Sequence, residues 1–186
     1  MSNERLASPR RNAGSTLIEV LIALLIACIG LLAMTRLAAS ALGHQKAAQM
    51  RLLGQTLAQQ YAERARLNVY GFDLGGYDIS LGDSAPEEPA LNADATDLAA
   101  ASAMAQADQR EFLQAVANAL PNGRAQAVAR RGVATTARDL DVWLLWRDTP
   151  VDDADSLDSA ARRQCPQGLK DADRRGASCM HFRVGL

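Results

Sequence analysis

One carboxylate stands inside an otherwise apolar run: Glu19, in the stretch Gly14-Ser15-Thr16-Leu17-Ile18-Glu19-Val20. From Leu17 to Met34 nearly every other residue is apolar. A charge this deep in an apolar helix costs about 2.5–3.5 kcal/mol on insertion scales. Ion pairing in a low dielectric offsets such a cost, and an unpaired charge there is penalised. The fitting partner is an ammonium group. Gly14, five positions before Glu19, has the least crowded backbone of this stretch. The plainer alternative is an acid that snorkels to a membrane edge or stays protonated.

The other residues capable of chemistry are sparse. Of three cysteines, Cys28 sits in the apolar run and reads as a small hydrophobe. Cys165 and Cys179 fall in the polar C-terminal region. A disulfide between them would close a short loop, worth about 3 kcal/mol in the chain-entropy model. Two metal-ligating thiolates would need further ligands at suitable spacing, which are missing. His44 falls on a long helical stretch with no acid close in sequence, and His181 falls in a terminal strand pattern. Both read as structural rather than catalytic. Asp152, Asp153, Asp155 and Asp158 offer oxygens of the kind Ca²⁺ takes, but they lack a loop signature and read as a solvated turn. Arg162, Arg163, Arg174 and Arg175 are interrupted by Asp171 and Asp173, and the chain's net charge is −1. Neither observation suggests a nucleic-acid binder. No catalytic residue, metal or cofactor is expected.

The elements that must position these groups follow from the patterning. Residues 1–14 carry Arg5, Arg10 and Arg11 against Glu4, ahead of a run just long enough to cross a bilayer. Basic residues stay on the cytoplasmic side, so the bulk of the chain is expected beyond the membrane, where disulfides are tolerated. No proline occurs between Pro9 and Pro86. Past Arg36 the apolar character narrows to a stripe of Met50, Leu53, Leu57 and Tyr61 at helical spacing. One helix is therefore expected from Ser15 to about Asn68, ended by Tyr70-Gly71-Phe72 and Gly75-Gly76. Residues 71–96 read as irregular. Asp94 to Ala107 is alanine-rich and compatible with a helix, and a better helix is expected over about 108–120, stopped by Pro121-Asn122-Gly123.

Strands are expected to follow. Ala125 to Arg130 is a weak candidate. Leu140 to Trp146 alternates with both faces substantially apolar, as a central strand would. Met180 to Val184 alternates again. The class is α+β: a long helix whose first half is membrane-spanning and whose second half is amphipathic, packed on a small antiparallel sheet.

The order of basic leader, Gly14, apolar helix and Glu19 resembles the type IV prepilin family. Later stretches are similar to the PilV group of minor pilins, the type IV pilus modification proteins. These are Ala62 to Asn68, Leu120-Pro121-Asn122-Gly123, the tryptophan-bearing strand Asp141 to Arg147, and the late cysteine pair. The resemblance implies the type IV pilin fold. It divides the chain into a leader (1–14), a transmembrane and assembly half-helix (15–38), an amphipathic half-helix (39–68) and a periplasmic head (69–186) with a C-terminal disulfide loop. It further implies prepilin peptidase cleavage between Gly14 and Ser15, N-methylation of Ser15 and pairing of Glu19 with a subunit N-terminus. Expected partners are the peptidase, other minor pilins, the major pilin and the inner membrane before assembly. The expected role is structural, starting pilus assembly in a tip complex, with no enzymatic activity. The family usually has phenylalanine after the cut, where this chain has Ser15. Many major pilins also carry a helix-kinking proline where this chain has Arg36.

Two rival readings follow from the same residues. A type II secretion pseudopilin uses the same N-terminal logic. Ala39-Ser40-Ala41 is an A-x-A sequence after an apolar run, which would release a secreted enzyme or binding module at Ala41. Glu19 sits badly in such a signal, and the helical pattern continues straight through Ala41.

Overall fold

The computed structural model describes residues 15–90, 96–131, 138–147, 164–169 and 177–186, with side chains from Leu17 onward. Helix α1 runs Ser15–Leu67 without a break, straight through Ala39-Ser40-Ala41. The chain divides into two compact units, Met1–His44 and Gln45–Leu186.

In the first unit the apolar side chains of α1 are uncovered. Leu17, Leu21, Leu25, Leu32 and Met34 are each more than half exposed. The helix is long and apolar enough to cross a membrane. Its surface lacks the one-sided stripe of a helix that rests on its own core.

In the second unit α1 changes character. Ala58, Tyr61, Ala62 and Ala65 are buried at three- and four-residue spacing, with Met50 and Leu57 partly buried beside them. Leu53 departs from the expected stripe: it is 37% exposed. The buried residue at that level is its neighbour Gly54, where an added Cβ would lie 3.3 Å from Leu144 Cδ1. Small residues bring the helix axis close to the sheet, and Tyr61 supplies the volume. Its ring stacks on Phe112 with centroids 4.3 Å apart.

The helix ends earlier than the glycines suggest. Asn68 is buried, and its side chain caps a short helix α2, Val69–Asp73. Asn68 Oδ1 accepts from the Gly71 amide at 3.0 Å, and its Nδ2 donates to the Ala101 carbonyl at 2.8 Å. Tyr70-Gly71-Phe72 therefore lie within a helix instead of ending one. The expected irregular segment also carries a bridge: Ile79 and Ala127 exchange backbone hydrogen bonds of 2.9 Å.

Helix α3, Asp97–Ala119, joins most of the alanine-rich stretch 94–107 and the helix expected from about residue 108 into one element. Thr96 caps it, its hydroxyl accepting from the Ala99 amide, and Asp97 sits in the first turn, where an acid complements the helix dipole. The helix ends at Leu120, followed by Pro121, Asn122 in a left-handed conformation (φ 51°) and Gly123.

Three strands follow: β1 Arg124–Arg131, β2 Arg138–Arg147 and β3 Ala177–Gly185. They form an antiparallel sheet in the order β1-β2-β3, with Gln126, Trp143 and His181 in one cross-strand row. The expected central strand is central. Leu140, Val142, Leu144 and Trp146 point to the main core with Phe72, Phe112, Val116 and Leu120. The other face holds a second, smaller cluster of Leu145, Leu169 and Cys179. The fold is thus α+β, with a long N-terminal helix packed on a three-stranded antiparallel sheet.

Candidate functional site

Glu19 lies near the start of α1, among the exposed side chains of Leu17, Ile18, Val20 and Leu21. It makes no ion pair among the described residues. Gly14 lies outside the described residues, and Ser15 is the first residue of α1.

Cys165 and Cys179 are joined in a disulfide, with Cα atoms 5.0 Å apart. The bond ties the segment 164–169 to β3. Leu169 from that segment is 5% exposed, against Leu145 and Cys179. Cys28 is a free, exposed thiol in α1. The acidic stretch Asp152–Asp158 and the arginines Arg162, Arg163, Arg174 and Arg175 lie outside the described residues. Among the described residues, no group of three or more His, Cys, Asp or Glu is placed to hold a metal ion.

The densest polar cluster was not apparent from sequence. Asp141, in the middle of β2, has a side chain 0% exposed on the sheet face away from α1. Arg183 Nε donates to its Oδ1 at 2.9 Å, His181 Nε2 lies 2.8 Å from the same oxygen, and Arg130 Nε donates to Oδ2. Burial pushes the Asp141 carboxyl up, but the hydrogen bonds from Arg183, His181 and Arg130 outweigh it and hold it below the usual carboxylate range. His181 lies flat on Trp143, with ring centroids 4.5 Å apart and planes at 19°. The sequence signal was one acid in the otherwise apolar stretch Leu140 to Trp146. Its partners come from β1 and β3, so the cluster could be read only with the register in hand.

A second network ties α1 to α3. Arg64 makes two 2.5 Å hydrogen bonds to the Glu111 carboxylate and one of 3.1 Å to Asp108 Oδ1. Asp108 Oδ2 accepts from the Tyr77 hydroxyl at 2.6 Å. Burial, then Asp108, push the Tyr77 phenol well above its ordinary range, so it stays a neutral donor. The Arg64 hydrogen bond holds Glu111 below the usual carboxylate range. The network therefore joins α1 to α3 through Arg64 and to Tyr77 through Asp108.

The chain matches the family model described as the prokaryotic N-terminal methylation motif over residues 9–35. No curated protein and no solved structure matches it. The match covers Gly14, Ser15 and Glu19 together with the exposed apolar part of α1. It supports a type IV pilin-like protein, a structural and not an enzymatic class, anchored by its N-terminal helix. The finer likeness to PilV-type minor pilins rests on the sequence resemblance alone.

Proposed function

We propose that this type IV pilin-like chain is a minor pilin of a type IV pilus, a structural subunit that helps start assembly in a tip complex with other minor pilins. The observation that carries the reading is the methylation motif over residues 9–35, which contains both an acceptable cut site and the acid that would meet a new N-terminus. Prepilin peptidase cleaves after Gly14 and methylates the exposed amine of Ser15. Before assembly the chain rests in the inner membrane with a periplasmic head. During assembly the exposed apolar part of α1 exchanges lipid for the helices of other subunits, and Glu19 pairs with an N-terminal ammonium. The disulfide on the described C-terminal segment supports an oxidising compartment for the head.

Mass spectrometry of the chain recovered from sheared pili tests this reading. An N-terminal peptide beginning at N-methylated Ser15 is expected. A mature N-terminus at Leu42 would instead establish release by a signal peptidase. Deletion that abolishes protein secretion and leaves piliation intact would assign the chain to a type II secretion pseudopilus.

A further inference from the structure

Cys165 and Cys179 share one disulfide but stand in different surroundings. Cys179 lies in β3, directly across from Leu145 of β2. It is 0% exposed and packs with Leu145 and Leu169. Cys165 is half-buried, between the exposed Gln164 and the buried Pro166. It lines a cleft of about 320 Å³ on the sheet face away from α1, where Trp143 and His181 form an aromatic wall. That volume lies at the small end of ligand sites, about 300–1,000 Å³. One sulfur of the bond thus belongs to a cleft residue and the other to a packed cluster.

This asymmetry decides how the bond can exchange. A thiolate opens a disulfide by attacking one of its sulfurs, and the product is a mixed disulfide on the attacked sulfur. The attacking sulfur must arrive in line with the S–S bond, on the side opposite the sulfur that leaves. Cys179, at 0% exposure, offers no such approach until the sheet opens locally. Cys165 is open to the cleft while the fold stays closed.

We propose that Cys165 is the exchange site of the head, accepting the cysteinyl sulfur of an incoming peptide, and that Cys179 is the resolving thiol. In the oxidising direction the Cys165 thiolate attacks one sulfur of an incoming disulfide R–S–S–R. A Cys165 Sγ–S–R bond forms, and the first R–S⁻ leaves and takes up the proton that Cys165 lost. The Cys179 thiolate then attacks Cys165 Sγ. The Cys165–Cys179 bond forms, and the second R–S⁻ leaves and takes up the proton from Cys179. Two electrons pass from the cysteine pair to R–S–S–R, which is reduced to two thiols. In the reducing direction the same steps run backwards, with Cys179 as the leaving group. Ionising a thiol in apolar surroundings is costly, and a thiol that ionises reluctantly leaves slowly. The closed bond should therefore open slowly and always from the Cys165 side. This inference rests on the head alone and does not depend on the pilus assignment.

The test uses the full chain in detergent with Cys28→Ser, which removes the free thiol of α1. The oxidised protein is treated with reduced glutathione, quenched in acid and peptide-mapped. A glutathionyl group on Cys165 is expected. A glutathionyl group on Cys179, or equal amounts on both, overturns the proposal. Cys165→Ser and Cys179→Ser, made separately in the same background and treated with oxidised glutathione, read the oxidising step. The variant retaining Cys165 should take up glutathione at least about tenfold faster than the variant retaining Cys179, because a buried thiol reacts only in molecules that have opened locally. In urea the two rates should converge. Equal rates in the folded variants overturn the proposal. A difference that persists in urea overturns it as well, since local sequence and not burial would then set the rates. Circular dichroism establishes that both variants are folded, and where either is not, the mapping of the intact bond decides.

Discussion

His181 Nε2 lies 2.8 Å from Asp141 Oδ1, reaching diagonally from β3 to a carboxylate fully hidden in the centre of the sheet. The contact explains how a charged side chain is accommodated between strands whose other faces are packed. Arg130 and Arg183 approach the same carboxylate from either flank and keep their own side chains about half exposed. The acid is therefore shielded while its counter-charges remain hydrated.

Asp141→Asn should lower the stability of the full chain by about 2 kcal/mol, since hydrogen bonds to charged groups contribute about 1.5–3. The folded carboxyl is held below its usual range, whereas an unfolded aspartate titrates near about 3.9. Its contribution is thus complete above that value and lost as pH falls through the lower folded value. Denaturation curves at neutral pH should separate the two proteins, and the gap should close in strong acid. A gap that holds constant with pH would mean that the charge of Asp141 contributes nothing.

Gly71→Ala should destabilise the second unit by more than about 2 kcal/mol, an overpacking cost at a site with no room to relax. An added Cβ would fall 2.4 Å from Asn68 Nδ2 and 2.9 Å from the Ala101 carbonyl oxygen, breaking the cap that joins α2 to α3. At Gly54 the same change should be close to neutral. The neighbour there is a terminal methyl of the Leu144 side chain at 3.3 Å, not backbone, and alanine recovers up to about 1 kcal/mol of helix propensity. Thermal melts of the two variants side by side provide the comparison.

Along α1 the buried face can be read by substitution. Tyr61→Ala should cost about 3–5 kcal/mol, as large aromatic truncations do. Tyr61→Phe, which removes only the 3.1 Å hydrogen bond to the Tyr77 carbonyl, should cost about 1. Gln55→Ala with Gln59→Ala, both exposed, should stay within about 0.5 kcal/mol of the parent. Equal melting temperatures for Tyr61→Ala and the glutamine pair would show that the helix does not dock through this face.

The contrast between Leu53 and Gly54 shows how far the sequence could be read. Periodicity identified a docking helix, but hydrophobicity alone placed the contact on the leucine. The tighter contact belongs to the residue without a side chain, because close approach of a helix to a sheet favours small residues. The strands were legible for a different reason: in β2 the alternation of Leu140, Val142, Leu144 and Trp146 leaves one period that fits. The first half of α3 was legible only as an alanine-rich stretch, since Ala99 to Ala107 has little apolar contrast between faces, and the cap at Thr96 joins it to the helix from residue 108. Asp141 was hidden because its meaning depends on residues in two other strands. Glu19 stands out in the sequence because its cost is local, set by the apolar residues on either side.

Reduction of the Cys165–Cys179 bond should destabilise the segment that closes over Leu145. The sequence separation is 14, and a loop of that size corresponds to about 3 kcal/mol in the chain-entropy model. Limited proteolysis with and without reductant, followed by peptide mapping, should show cleavage near residues 164–169 appearing only in the reduced protein. Equal protection in both states would mean that Leu169 and Pro166 hold the segment without the bond.

Glu19→Ala separates insertion from assembly. Removing a carboxylate from an apolar helix lowers the insertion cost by up to about 2.5–3.5 kcal/mol, so the variant should reach the membrane at least as well as the parent. Cleavage after Gly14 should also persist, because the cut site is intact. The deficit should appear later, when a newly freed N-terminal ammonium enters an apolar bundle with no opposite charge to meet. An uncompensated charge in such surroundings costs about 3–5 kcal/mol, enough to reduce incorporation more than a hundredfold. Glu19→Gln keeps the shape and a hydrogen-bond acceptor but not the charge, and it should fall between the two. Quantifying the chain in sheared pili against the membrane fraction for all three proteins gives the order. If the alanine variant is recovered in pili at parental levels, Glu19 is an acid at the membrane edge and has no part in joining subunits.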